Sequence, residues 1–151
     1  MLAGTPASPN ANTQGTINGD AFSSPDGLSF DQYRRLWIST DASDQIGEPD
    51  WIGLGNDMLL AMDTRSGEVK RFLLAPDGSE VCGTVLTPDG ESLFVNIQHP
   101  GTEQPRVPNE IETMTWPDMI PVDQGGIVRA CTVVITRKDG GKIGIGEGNA
   151  T

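Results

Sequence analysis

Seven short runs of β-branched, aromatic and other apolar residues, each bounded by turn-forming residues, restrict this chain to an all-β fold. No apolar pattern with the 3.6-residue period of a helix continues past ten residues, so any helix must be short. Sequences such as Pro88-Asp89-Gly90 supply the Pro, Asp and Gly that tight turns need, which predicts hairpins between neighbouring runs. The predicted strands cover residues 28–30, 35–40, 58–63, 68–74, 81–86, 93–98 and 130–137.

Two parts of the chain repeat one strand–turn–strand pattern. Gly27 opens an alternating strand that is followed by a turn and a second apolar strand, and Gly83 opens the same arrangement about 56 residues later. Repeats on the order of 40–50 residues with four strands each are typical of β-propeller blades, and inserted loops lengthen them. Residues 25–74 therefore predict one blade of four strands, and a second blade begins near residue 80.

The length of the chain predicts only part of such a propeller. Residues 25–151 have room for about two to three blades, whereas a closed propeller needs at least four. We therefore expect a fragment whose unpaired strand edges favour association. Residues 1–24 are polar, lack the pattern of a signal peptide and predict a loop or disordered segment. The Pro-rich residues 99–126 predict either a disordered insertion or a lid.

Charge and cysteine content exclude several function classes. With 21 acidic and 10 basic side chains, the net charge of −11 opposes binding to nucleic acid. The longest uninterrupted apolar run is 58–62, far below the roughly 20 residues of a transmembrane helix. Cys82 and Cys131 stand in no metal-ligand cluster and predict buried small side chains. No G-x-S-x-G, H-E-x-x-H or Walker motif is present.

Two carboxylates recur one repeat apart and are candidate metal ligands. In a propeller the first strand of each blade faces the central channel, and its N-terminal end opens onto one mouth; Asp26 and Glu80 occupy these positions. Convergent carboxylate oxygens hold hard cations such as Ca²⁺. Asp26 has a second interpretation as a turn residue, like Asp89. His99, the only histidine, predicts a hydrogen-bonded loop residue rather than a ligand or base.

The acidic residues between the second and third predicted strands form no recognisable site. Their spacing does not match the ligand spacing of an EF-hand loop, so we expect a solvated loop. These residues are Asp41, Asp44, Glu48 and Asp50.

An ordered series of motifs resembles the C-terminal region of PhoX-type alkaline phosphatases. The series begins with SPDGLSFD at 24–31, RLWI at 35–38 and GNDML at 55–59. It continues with EVCG at 80–83, TPDG at 87–90, FVNIQHPG at 94–101 and TVVITR at 132–137. These motifs extend over nearly all of 25–137, and the block at 94–101 is the most specific of them.

The resemblance implies a six-bladed propeller whose channel mouth holds Ca²⁺ and Fe³⁺ and hydrolyses phosphomonoesters. It also implies export by the twin-arginine route, hence a periplasmic or extracellular protein. Asp26 matches the metal-ligating Asp of the family's Ser-Pro-Asp motif, whereas Glu80 is a candidate by position alone. The family's iron-ligating cysteine, its other carboxylate ligands and its Arg-Pro-Glu segment belong to earlier blades, and Cys82 is not that cysteine. The chain is thus expected to need the remaining blades of the same polypeptide and to be inactive alone.

Two other functions fit the same motifs. Pro-Asp-Gly-Leu followed by a Leu-Trp-Ile strand also occurs in calcium-dependent lactonase propellers of the gluconolactonase kind. A non-catalytic propeller that binds partners needs only the turns and the Trp-bearing strands.

Overall fold

The computed structural model describes residues 17–41, 53–76, 78–101, 115–120 and 124–145. All seven predicted strands are present, and the largest difference is at the first, which begins three residues earlier than predicted. The strands are β1 (Pro25–Phe30), β2 (Arg35–Thr40), β3 (Met58–Asp63), β4 (Val69–Leu74), β5 (Glu80–Leu86), β6 (Ser92–Gln98) and β7 (Cys131–Thr136). The described residues contain no α-helix, and so no helix among them is long and apolar enough to cross a membrane.

The strands form two antiparallel sheets. Sheet A has the order β1-β2-β3-β4, and sheet B has the order β5-β6-β7. The all-β prediction and the four-stranded first unit are confirmed. Both sheets are open rather than closed into a ring, so the number of blades stays a prediction.

The main core lies between the two sheets. Side chains alternate along a strand, so Trp37 of β2 and Leu59 of β3 point to the same side of sheet A. They pack in one cluster with Val81, Leu93 and Val95 of sheet B, all less than 3% exposed. Because burying a large apolar side chain stabilises a fold by roughly 1.5–3 kcal/mol, this cluster holds the sheets against each other.

A second cluster covers the opposite side of sheet A. Leu36 and Ile38 alternate with Trp37 along β2 and pack there with Phe22, which is 6% exposed. Gly19 forms a parallel bridge with Val69 of β4. The packed part of the chain therefore begins before residue 25, earlier than predicted, and residues 1–16 lie outside the described residues.

The two glycines of the repeat have the same structural role. Each lies at an irregularity in the first strand of its sheet, Gly27 in β1 and Gly83 in β5. A Cβ atom on Gly27 would lie 2.3 Å from Ser39 Oγ, and one on Gly83 would lie 2.3 Å from Asn96 Nδ2. A larger residue at either position would displace that polar side chain, and Gly83 also has a φ of 61°, a left-handed conformation that favours glycine.

An apolar row is exposed on the side of sheet B that faces away from sheet A. Val85 pairs with Phe94, which pairs in turn with Val134, and these three side chains are 61%, 38% and 52% exposed. We call these three residues the outer row. Adjoining apolar side chains this exposed are typical of surfaces that contact another structural unit.

The long segment between β6 and β7 leaves and re-enters sheet B at the end where Glu80 pairs with Gln98. Its described parts form a small hairpin-like structure in which Pro117 bridges Val128. Residues 102–114 and 121–123 lie outside the described residues, so the choice between insertion and lid stays open.

Candidate metal-binding site

Glu80 is the first residue of β5 and is 8% exposed. Its Oε2 atom accepts a hydrogen bond from Gln98 Nε2 and lies 3.3 Å from His99 Nε2. A carboxylate this buried is stable only when polar groups replace the water it has lost. His99, expected to be a loop residue of structural importance only, therefore contacts one of the two candidate ligands.

Asp26 is the second residue of β1 and is exposed. The neighbouring Pro25 pairs with Thr40, the last residue of β2. The amide of the next residue, Asp41, donates a 3.1 Å hydrogen bond to the carbonyl oxygen of Ser24. This bond holds the start of β1 against the end of β2, and Asp41 therefore lies beside the start of the strand that carries Asp26.

Three carboxylates from different parts of the chain affect the pKa of the Cys82 thiol. Burial raises the pKa of its thiol above the usual value of 9.0, and the negative charges of Glu80, Asp26 and Asp41 raise that pKa further. Ser29 Oγ donates to the carbonyl oxygen of Thr84 at 3.3 Å, and Gln32 Nε2 donates to that of Thr87 at 3.1 Å, so β1 and β5 run side by side in the same direction. The structure thus brings the two candidate ligands to the same end of the molecule.

The raised pKa also describes the chemical state of Cys82. A thiolate is the form that binds metals and attacks electrophiles, and a higher pKa disfavours it.

Asp41 is the neighbour that sequence reasoning missed. It was grouped with Asp44, Glu48 and Asp50 as a solvated loop; those three lie outside the described residues. A signal was nevertheless available, because Asp41 directly follows a strand that must pair antiparallel with the strand starting at Pro25. Antiparallel pairing places the end of one strand beside the start of the next.

The candidate ligands have the oxygen atoms that a calcium ion prefers, but the described residues provide too few of them for a complete site. Carboxylate oxygens are suitable ligands for Ca²⁺, which takes 6–8 oxygen atoms. Among the residues that the structure describes, no group of three or more His, Cys, Asp or Glu side chains could hold a metal ion. Asp26 and Glu80 can therefore supply only part of a metal site.

Comparison with known proteins identifies relatives of the chain. A family model described as alkaline phosphatase PhoX matches residues 1–101. The solved structure of Pseudomonas fluorescens PhoX in complex with vanadate, a transition state analogue, is 41% identical with a TM-score of 0.68. That match covers 82% of this chain but only 19% of the Pseudomonas chain. A search of curated protein sequences found no significant match.

Proposed function

Because this chain belongs to the alkaline phosphatase PhoX family, we propose that it supplies Asp26 and Glu80 as metal ligands in a hydrolase of phosphomonoesters. The observation that supports the proposal is that β1, which carries Asp26, lies beside β5, which begins at Glu80, since Ser29 Oγ donates to the carbonyl oxygen of Thr84 at 3.3 Å. Two chain segments more than 50 residues apart in sequence thus place acidic groups at one end of the fold.

The electrostatics of this end favour a metal-dependent reaction. Asp26, Asp41 and Glu80 carry negative charge, so they repel a phosphate monoester until cations offset that charge. Ca²⁺ and Fe³⁺, the proposed cofactors, would offset it and polarise the phosphoryl oxygens when bound. The role of this chain is to orient the ligand oxygens, and Gln98 and His99 do so for Glu80.

The rest of the metal site is proposed to come from other blades of the same polypeptide. The chain spans about one fifth of the length of the Pseudomonas protein that it matches. The outer row and the exposed Leu28 and Phe30 of β1 offer apolar surfaces on which further blades can pack. On this proposal, the 151-residue chain alone has no phosphatase turnover, and a periplasmic or extracellular location follows from the resemblance only.

A chimaera tests the proposal. The matched segment of Pseudomonas fluorescens PhoX is replaced by residues 17–145 of this chain, and hydrolysis of p-nitrophenyl phosphate is measured with Ca²⁺ and iron present. We expect Asp26→Ala and Glu80→Ala each to lower kcat/KM by roughly 100-fold or more, because losing a ligand removes charge stabilisation worth several kcal/mol. The exposed carboxylate of Glu68, between β3 and β4, provides the control, and Glu68→Ala should leave the rate unchanged.

Two results would contradict this proposal. Full activity and full metal content in the Asp26→Ala chimaera would remove Asp26 from the ligand set. A chimaera that hydrolyses a lactone but no phosphate ester would favour the lactonase alternative, and one that folds without stoichiometric metal would favour a binding module.

A further inference from the structure

We propose that a buried pair, Asp57 and Thr40, is a positioning device that fixes the start of β1, the strand that carries Asp26. The inference rests on the proposed role of Asp26 as a ligand. Neither Asp57 nor Thr40 is solvent-accessible, since both are 0% exposed. Asp57 therefore acts through other residues rather than by touching a metal or a substrate.

The pair is joined by a short hydrogen bond. Thr40 Oγ1 donates to Asp57 Oδ1 at 2.6 Å and accepts from the backbone amide of Met58 at 3.0 Å. The backbone oxygen of Asp57 in turn accepts from the amide of Ala75 at 2.8 Å. A buried polar group is costly unless it is hydrogen-bonded, so both side chains depend on this bond. This bond therefore holds the hydroxyl of Thr40 in one orientation.

Thr40 connects the pair to the start of β1. It is the last residue of β2 and pairs with Pro25, and the next residue, Asp41, donates its amide to the carbonyl oxygen of Ser24 at 3.1 Å. Fixing Thr40 thus fixes the direction of the Asp41 amide. Asp26 comes two residues after Ser24, so the same contacts fix the backbone position from which its carboxylate extends.

The backbone at Ser24 shows why such a device is needed. Ser24 has a φ of 45°, a left-handed conformation that is unfavourable for a residue with a side chain. It also precedes Pro25, and proline restricts the backbone of the residue before it. Strained conformations of this kind persist only where the surrounding structure over-determines them. The hydrogen bond from Asp41, held in place by Thr40 and Asp57, supplies that constraint.

Amide hydrogen exchange in the 151-residue chain, followed by NMR, tests the inference without any phosphatase assay. In the natural chain the Asp41 amide should exchange slowly. Thr40→Val keeps the shape but removes the hydroxyl, and should speed exchange at Asp41 by about tenfold. The amide of Asp63, at the opposite end of sheet A, should be unchanged, and Thr40→Ser should restore slow exchange at Asp41.

Thr64→Val is the matched control, because Thr64 donates a similar 2.7 Å hydrogen bond to the carbonyl oxygen of Arg34 at the opposite end of the sheet. It should leave the Asp41 amide unaffected. Asp57→Asn keeps an oxygen acceptor but replaces the carboxyl group by an amide, and should speed exchange at Asp41 a few-fold. This milder variant decides the matter if Thr40→Val does not fold.

The inference is overturned if the Asp41 amide already exchanges rapidly in the natural chain. It is also overturned if the variants speed Asp41 and Asp63 equally, since that indicates a general loss of stability. These outcomes are distinguishable from failure of the proposed function: slow, Thr40-dependent exchange at Asp41, together with full activity and metal content in the Asp26→Ala chimaera, would remove Asp26 from the ligand set and leave the positioning device standing.

Discussion

Asp31 Oδ2 lies 2.7 Å from Arg35 Nε, and the Asp31 side chain is only 1% exposed. The same oxygen accepts a hydrogen bond from Trp37 Nε1, and Oδ1 accepts from the backbone amides of Tyr33 and Arg35. Arg35 Nη1 donates to the carbonyl oxygen of Ile143 at 2.7 Å, far along the chain. This ion pair therefore links the first hairpin of sheet A to the segment that follows sheet B.

Removing the Asp31 carboxylate should weaken the whole fold. Asp31→Ala leaves the largely buried guanidinium of Arg35 without its anionic partner, and we expect the free energy of unfolding to fall by about 3–5 kcal/mol. Urea unfolding followed by tryptophan fluorescence measures this change. The exposed pair of Arg129 and Asp118 is the control, where Asp118→Ala should cost less than about 1 kcal/mol. Equal losses in the two variants would contradict the structural role of Asp31.

The reactivity of Cys82 tests whether the carboxylates lie near it. Burial and the charges of Glu80, Asp26 and Asp41 raise its pKa, so alkylation by iodoacetamide at pH 8 should be slower than for a free cysteine. In a Cys131→Ser background, Glu80→Gln removes one of these charges and should speed alkylation about twofold or more.

The control for this experiment is Asp63→Asn, since Asp63 ends β3 at the opposite end of sheet A. It should leave the alkylation rate unchanged. If Glu80→Gln has no greater effect than Asp63→Asn, then Glu80 is not close to Cys82.

Asp139 should titrate at unusually low pH. Hydrogen bonds from the Arg137 guanidinium and from the Gly141 amide lower the pKa of this carboxyl from 3.8 to about 2. A lowered pKa in the folded state means that the stabilisation is present above pH 3.8 and is lost as the pH falls toward 2. NMR titration of the Asp139 side-chain carbon measures the midpoint directly.

The matched variants are Arg137→Gln and Arg129→Gln. The first removes the charged partner of Asp139, so the midpoint should move up toward 3.8. The second removes the partner of a different carboxylate, Asp118, and should leave the Asp139 midpoint where it was. A midpoint near 3.8 in the natural chain would show that this ion pair does not form in solution.

The outer row should cause the isolated chain to associate. Its three residues adjoin across sheet B, and burying them against a second surface removes apolar area from water. We expect Phe94→Thr together with Val134→Thr to lower the associated fraction in sedimentation velocity. Met119→Thr is the control, because Met119 is 75% exposed but lies outside the row. An equal effect of the control would indicate non-specific association.

Local sequence determined the strands. The alternation of apolar and polar residues between Ser92 and Gln98 predicts one buried side, and Leu93, Val95 and Ile97 are indeed each no more than 2% exposed. Turn residues separate such runs, so the bounds of each strand could be predicted from the sequence to within a few residues. The sequence also proposed Asp26 and Glu80 as candidate ligands, since each lies near the start of the first strand of its repeat, and their role stays a prediction. The resemblance to the family could also be recognised from the sequence, because its motifs are short and occur in the family's order.

Only the tertiary structure decided what lies beside those residues. The contact between Arg35 and Ile143 joins residues 108 positions apart, and no local periodicity encodes such a distance. The packing of Phe22 on sheet A, the contact of His99 with Glu80 and the position of Asp41 near Cys82 are of the same kind. Local patterns set the backbone conformation through sterics and alternation, whereas the burial and charge of a site depend on which distant side chains the packed sheets bring together.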